Sequence, residues 1–400
     1  MQQIDSLISN PFNPLNLLTI NRPNRSMPMQ VRKLDTANRR DARQFIQLPF
    51  DIYKGSAQWV PPILPEIQAV LNRKKHPFYL HSDADFFVVE DGRETLARVV
   101  VMENRNYNRH HGVKNAFFYY FDAYDNVPAA RMLFDAAFDW ARSRGLTLII
   151  GPKGFLQGDG MGALVEGFEH RPAVGVPYNH PYYHNLLTAC GFEKETDFSS
   201  GYLSGKHKLD PRFYEIAEKV KERRGFHIQS FASEKELRAW IPRIGKVYND
   251  SFVNNWEYCP ITPEEMKIIG DRLVAIAHPR LIKLVMKGDQ PIGFVFGFMD
   301  ISAAIQRTRG RIWPFGWIDL MREFKRTKWV NFNGVGLLPE YQGLGGNAVM
   351  YTELAKSAEE FGFEHCDLVQ VEEQNRKSRG DMADIGVQWY KKHRLYRKAL

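Results

Sequence analysis

Val330 to Asn347 reads VNFNGVGLLPEYQGLGGN, and the run AVMYTELAKSAEEFGF follows it. Val330, Phe332, Val335, Leu337 and Leu338 give the first part the apolar, β-compatible content of a strand. Pro339 has no N–H to offer a ladder and ends it. Gly343, Gly345 and Gly346 then permit backbone angles and close approaches that a Cβ forbids. From Ala348 onward Val349, Met350, Leu354, Ala355 and Ala358 recur at helical spacing. Loop N–H groups backed by the positive end of a helix dipole can hold a phosphate or pyrophosphate. The spacing is neither that of a P-loop, which needs a Lys-Ser/Thr pair, nor the GxGxxG-plus-acid pattern of dinucleotide folds.

The chain's bulk properties set the frame. Four hundred residues suit two domains, and a hydrophobic content of 44% with 25% charged residues is ordinary for a globular chain. No apolar run reaches the length of a membrane span. Residues 1–28 lack a basic leader region and are rich in Asn, Pro and Ser, which predicts a loose extension. Cys190, Cys259 and Cys366 lie far apart without CxxC or His partners, so a reducing cytoplasm is expected, with neither structural zinc nor disulfides. The net charge of +8 is spread along the chain, which argues against a nucleic-acid face.

The order Leu337-Leu338-Pro339-Glu340-Tyr341-Gln342-Gly343-Leu344-Gly345-Gly346 resembles the central motif of the GCN5-related N-acetyltransferases (GNATs). In that family a Gln or Arg followed by Gly-x-Gly wraps the pyrophosphate of acyl-coenzyme A, a polyanion that also suits a basic protein. The resemblance implies an α/β (α+β) fold on a mixed sheet. Pantetheine would lie as a pseudo-strand between the strands at 330–338 and 365–371, on backbone groups near Leu337 and Leu338. Gln342, Gly343, Leu344, Gly345, Gly346 and Asn347 would hold the pyrophosphate, and Asn375 the cofactor arm.

The first half repeats the order. A hairpin turns at Asp91-Gly92, a strand spans 114–121, a helix 129–144, a buried strand 146–151 and a helix 181–190. The segment YNHPYYHNLLTACGFEKETDF resembles the family's late motif, and WVPP, KKHPFYL and Pro177–Tyr183 are similar to phrases of bacterial tandem-GNAT proteins. The turn DAYDNVPAAR, however, has no glycine and cannot cradle a phosphate. The expectation is two tandem acyl-CoA N-acyltransferase folds, the first without a phosphate loop: a degenerate domain at 29–203, a linker helix at 204–224 and the acyl-CoA domain at 225–400. The first half would wall a shared acceptor pocket. The glycine-rich stretch 151–170 is either a mobile pocket loop or a solvent-exposed loop of no consequence.

Acyl transfer to an amine needs a neutral nucleophile, a polarised thioester carbonyl and a proton route. Glu373, beside Glu372 at the end of the strand near 371, is the candidate base, although solvated acids are the simpler reading of both. Asn331 and Asn333 share a strand face and could orient a water instead. Two residues depart from the family pattern. Asn347 stands where Gly or Ala is usual, and Met382 where many members carry a Tyr acid, which leaves Tyr390, Tyr396 or water to protonate the thiolate. The stretch 305–329 interleaves basic residues with Trp313, Phe315, Trp317, Leu320 and Phe324. It reads either as a membrane-surface or fatty-acyl-binding element or as an amphipathic insert packed on its own domain. The resulting expectation is a cytoplasmic N-acyltransferase using acetyl-CoA or another acyl-CoA, without a metal, on a small-molecule or lipid amine. A silent acyl-CoA-binding protein, or transfer of long acyl or aminoacyl groups to a lipid or cell-wall precursor, are the alternatives.

Overall fold

The computed structural model describes residues 28–253, 255 and 258–400. The expected N-terminal extension up to residue 27, and Trp256, lie outside the described residues. The strands, in chain order, are β1 (Gln30–Lys33), β2 (Asp83–Asp91), β3 (Glu94–Glu103), β4 (Asn115–Ala123), β5 (Leu148–Gly151), β6 (Ala163–Glu166) and β7 (Glu193–Ser204) in the first half. The second half holds β8 (Phe226–Ser230), β9 (Ile282–Lys287), β10 (Gln290–Met299), β11 (Trp329–Leu337), β12 (His365–Glu372) and β13 (Gln388–Ala399). Helices α1 (Arg39–Ile52), α2 (Leu64–Leu71), α3 (Arg105–His111), α4 (Val127–Arg142) and α5 (Tyr183–Ala189) precede α6 (Pro211–Arg224). After it come α7 (Glu234–Ser251), α8 (Pro263–Ile276), α9 (Ser302–Thr308), α10 (Gly316–Arg326), α11 (Gly346–Glu360) and α12 (Arg376–Asp384).

Each half builds the same pattern. An antiparallel meander, β1-β2-β3-β4 or β8-β9-β10-β11, ends on a parallel pair, β4/β5 or β11/β12. The glycine hairpins and capping signals place these elements where the sequence suggests: Thr262 and Glu265 form a reciprocal capping box at the start of α8.

The closing strands are exchanged. β7, the last strand of the first half, lies against β12, while β13, the last of the chain, lies between β5 and β7. One continuous thirteen-stranded sheet results, with β6 also on β13. A boundary drawn at 203/204 therefore cuts through paired strands. Helix α6, expected as a linker, belongs to the second half: Ala217 and Val220 are buried in that half's core, and α6 packs against α11. Asp210 caps its start and Gly225, in the left-handed region, its end.

Side chains also cross between the halves. Cys259 is buried in a core cluster made of first-half residues, Arg272 of α8 pairs with Asp159 at 3.0 Å, and Glu265 meets His81 at 3.1 Å. The Asp159 pairing pins the glycine-rich stretch 151–170, and a bridge between Lys153 and Met161 closes it on itself. It lines the cavity between the halves, as a pocket loop would, and is not a solvent-exposed loop of no consequence.

Two testable consequences follow from this architecture. Residues 29–203 expressed alone lack β13, so β5 and β7 lose their common neighbour; the fragment is expected to be unfolded by near-ultraviolet circular dichroism, whereas the full chain unfolds in one transition. A fragment melting cooperatively by itself would contradict this. The second consequence concerns acid. His76 and His393 are buried, and burial pushes each ring down from 6.5 to about 4. The unfolded chain takes up protons below pH 6.5 while the folded rings do not, so stability is intact above pH 6.5 and falls between 6.5 and 4, by about 3 kcal/mol per ring. Urea midpoints at pH 7 and pH 5 measure the loss, and His76→Phe should reduce it.

Candidate functional site

β11 and β12 pair in parallel only from Trp329/His365 to Phe332/Leu368. Beyond that point β11 stays on β10 as far as Leu337, and β12 stays on β7. The two strands part and leave a fork. An irregularity between Leu368 and Val371 helps to turn β12 away; Gln370 there has φ of 49° and donates its side-chain N–H to Met161 O at 2.6 Å. On β11, Leu338 gives its N–H to Ile292 O at 2.9 Å. Strand alternation therefore points the Leu337 N–H the other way, into the fork. Gln342 Nε2 holds the Leu337 carbonyl at 3.2 Å. Of the two residues expected to offer backbone groups, Leu337 has a donor facing the fork and Leu338 does not.

The loop beyond the fork leads into α11 without a side-chain cap. Its first-turn N–H groups thus have no capping side chain, as anion binding requires. Gly345 is the N-cap, with φ of +85°, and a Cβ there would stand 2.6 Å from Val220 on α6. Gly346 packs against Leu337 in the same way, while Gly343 borders open space. Leu344 is half-buried and does not line the cavity described below. Asn347 does not reach toward the loop: its Nδ2 donates to Asp381 Oδ2 at 2.5 Å, and Tyr351 O–H donates to the same oxygen at 3.1 Å. Burial raises the Asp381 carboxyl above its ordinary range. Asn375 caps α12 by accepting from Ser378 N–H at 3.1 Å.

α12 brings a residue that the sequence reading passed over. Lys377 Nζ donates to Gln342 Oε1 at 3.2 Å, so a cation stands over the glycine loop. Its signal in the sequence is the Arg376-Lys377 pair directly after Asn375. A free fork-side N–H, an uncapped helix start and this lysine together fit a pyrophosphate-bearing thioester.

The first half carries a second fork, since β4 and β5 pair only from Asn115/Leu148 to Phe117/Ile150. Here the backbone is already occupied. Ala123 N–H donates to Tyr183 Oη at 3.1 Å and Tyr182 O–H donates to the Ala123 carbonyl at 2.8 Å. Tyr53 and Asp122 complete this tyrosine cluster. The start of α4 is capped by Asn126 and has Pro128 in its first turn. Nothing there is left open for a phosphate.

The expected catalytic side chains are placed elsewhere. Glu373 accepts from Lys194 Nζ at 2.7 Å and from Asp197 N–H at 3.2 Å, which turns it onto β7. Its neighbour Glu372 accepts from Thr196 O–H at 2.6 Å. Tyr390 donates to Asp367 at 2.8 Å, a carboxylate that also holds Lys391 at 2.7 Å. Burial, then the Asp367 charge, drive the Tyr390 hydroxyl far above its ordinary range. Tyr396 is 1% exposed in the first-half core, its hydroxyl 2.8 Å from His184 Nδ1, because β13 has crossed over. Met382 is buried but lines the cavity, so the position of the usual acid is a thioether.

That cavity, of about 1580 Å³, runs from the fork into the junction between the halves. Apolar side chains make up more than half of its walls, including Trp59, Pro61 and Ile63 on the first half, Ile241, Tyr248, Met266 and Leu273 on α7 and α8, and Phe296 and Phe298 on β10. Many polar side chains interrupt them, among them two ion pairs, Glu66 and Asn331. Arg98 pairs with Asp122 at 2.6 Å and Arg272 with Asp159 at 3.0 Å. The Glu66 carboxylate makes no hydrogen bond among the described residues, and burial, with the Asp159 charge acting the same way against Arg272, raises its pKa. Asn331 is 3% exposed beside the point where the fork opens, and neither atom of its amide has a partner. Leaving such a group unsatisfied costs about 1–3 kcal/mol, which a bound polar group would offset.

This is the fold of the GNAT acyltransferases in tandem. The solved structure of a tandem GNAT protein from the clavulanic acid biosynthesis pathway superimposes with a TM-score of 0.53 at 10% identity, over 93% of this chain and 98% of that one. No protein-family model matches the chain. In sequence it is 25% identical over 375 residues to protein YghO of Escherichia coli (strain K12), covering 91% of this chain and 94% of that protein. It is 23% identical over 370 residues to the bacterial ceramide synthase of Caulobacter vibrioides (strain NA1000 / CB15N), covering 90% and 95%.

Calorimetric titration with acetyl-CoA tests the loop. Gly345→Glu should abolish binding, since the new side chain enters Val220 and puts a negative charge at the helix start. Lys377→Ala, which disturbs no core contact, should weaken binding about tenfold and reduce its salt dependence. Unchanged affinity in Lys377→Ala would remove that lysine from the site.

Proposed function

We propose that the chain transfers an acyl group from acyl-coenzyme A to the amine of a lipid-like acceptor. The observation that carries this reading is the cavity. At about 1580 Å³ it exceeds the ~300–1,000 Å³ of common small-molecule pockets, and its apolar walls continue from the thioester fork into the first half. An acetyl group and a small amine would leave most of that surface unmatched. The similarity to a protein named as a ceramide synthase supports the same class of acceptor.

In this reading the Leu337 N–H holds the cofactor arm near the loop, and the thioester lies further down the fork, toward Asn331, where backbone groups of β11 face the carbonyl oxygen on which negative charge develops. The Asn331 amide orients the attacking amine, and Glu66 accepts its proton. The amine nitrogen bonds to the carbonyl carbon, the C–S bond breaks and the thiolate departs; Met382 offers no proton, so water at the open end of the cavity protonates it. Met382 also favours a second reading, a binding protein that holds acyl-CoA without turnover.

Thiol release with acetyl- or palmitoyl-CoA, presented with a short amine or a long-chain amino alcohol, separates these. The expected result is turnover with the long-chain pair. Glu66→Gln should lower kcat about 100-fold with little change in KM and remove the acid limb of the pH profile. Turnover confined to short amines would overturn the lipid assignment, and tight binding without thiol release would establish the binding protein.

A further inference from the structure

Residues 311–326, which follow the partly buried α9 and Gly310, form a ridge with no buried residue. No residue of α10 is buried. Its apolar stripe is anchored at one end, where Phe324 packs against the second-half core. One and two turns back on the same face, Met321 and Trp317 are 52% and 48% exposed, and beyond the helix Phe315 and Trp313 are 75% and 80% exposed. The stripe thus starts in the core and runs out past the edge of the protein. An apolar patch of this kind on a folded chain marks a contact surface.

Its charges point to one partner. The two acids of α10, Asp319 and Glu323, are both held by Arg307, at 2.8 Å and 2.5 Å. Arg311, Arg322, Lys325 and Arg326 are exposed and form no ion pair among the described residues. A row of aromatics flanked by unpaired cations complements an anionic bilayer, with the rings at headgroup level and the cations on lipid phosphates. Among the described residues no helix is long and apolar enough to cross a membrane, so the contact would be peripheral.

The ridge is also clamped to the cavity rim through α9 and Gly310. The Gly310 carbonyl accepts from Leu64 N–H at 2.9 Å, and Gln306 Nε2 donates to Trp59 O at 2.9 Å. Gly310 lies so close to the Pro62 carbonyl that a Cβ would collide with it. Trp59, Pro61, Ile63 and Ile305 all line the cavity. We propose that this ridge docks the protein on an anionic membrane surface and sets the cavity rim against the headgroups, so that an amphiphilic substrate enters from the bilayer. The purpose assigned to the docking rests on the lipid-like acceptor proposed above; the docking itself does not.

Cosedimentation of the full chain tests it, using phosphatidylcholine vesicles with and without about one quarter phosphatidylglycerol. Binding is expected on the anionic vesicles, weakened by salt, and lost by about tenfold or more in Trp313→Ser/Phe315→Ser and in Arg322→Glu/Lys325→Glu. Both variants should keep wild-type acetyl-CoA affinity, which shows that they fold. No binding by the wild type would overturn the proposal, as would equal binding by the variants. So would a dimer that Trp313→Ser/Phe315→Ser dissociates while vesicle binding is absent. Vesicle binding together with turnover confined to short amines would keep the docking surface and remove the lipid acceptor, so the two failures are distinguishable.

Discussion

The exchange of β7 and β13 is the constraint on which the rest depends. In each half the parallel pair opens into a fork because its inner strand is held from outside. β12 can leave β11 at Leu368 only because β7 keeps hold of Val371 and Glu372. β5 in turn is held by β13, from Leu148 to Gly151. Each half thus supplies the strand that props open the other half's fork. The first half has lost its phosphate loop yet is still needed structurally, since without β7 the outer wall of the working fork is missing.

The buried charges at the centre fit the same logic. Asp367 on β12 and Lys391 on β13 meet at 2.7 Å across β7, with side chains 3% and 1% exposed. A buried pair of this sort is often no more stabilising than an apolar pair of the same volume, but breaking it strands a charge. A one-residue slip in either strand would separate the two groups and turn every side chain of that strand over. The pair, with Tyr390 donating to the same carboxylate, fixes the register of three strands drawn from both halves.

How much of this was legible in the residues depends on range. The glycine loop, the hairpin at Asp91-Gly92 and the lack of a glycine turn after β4 are local chemistry, and they were readable. The first half's lost site was visible as an absence; the tyrosines that occupy it were not, because Tyr53, Ala123 and Tyr183 are brought together only by the fold. The exchange was equally hidden. β13 reads QWYKKHRLYRKA, too charged to announce a strand with neighbours on both sides, and nothing in it names β5 as a partner. That is why Tyr396 looked available and is buried in the other half. Glu373 failed for a related reason: its partners Lys194 and Asp197 lie on β7, which sequence order assigns to the first half.

The fork and the large cavity are one design seen from two sides. A sheet shared between two halves leaves a seam where α7 and α8 of one face the Trp59–Ile63 segment and β4 of the other. In a single small domain such a volume would be filled by its own side chains, because an apolar void forfeits dispersion contacts along its whole lining. Here it is kept open by rigid elements on both sides, tied by Arg272 with Asp159 and by Glu265 with His81. Those ties lie between residues far apart in the chain and leave the loop-side end of the cavity, at Gln342 and Gly343, unobstructed. The tandem arrangement therefore gives this chain what one copy of the fold cannot hold by itself: a glycine loop and fork at one end of a large cavity walled by both halves.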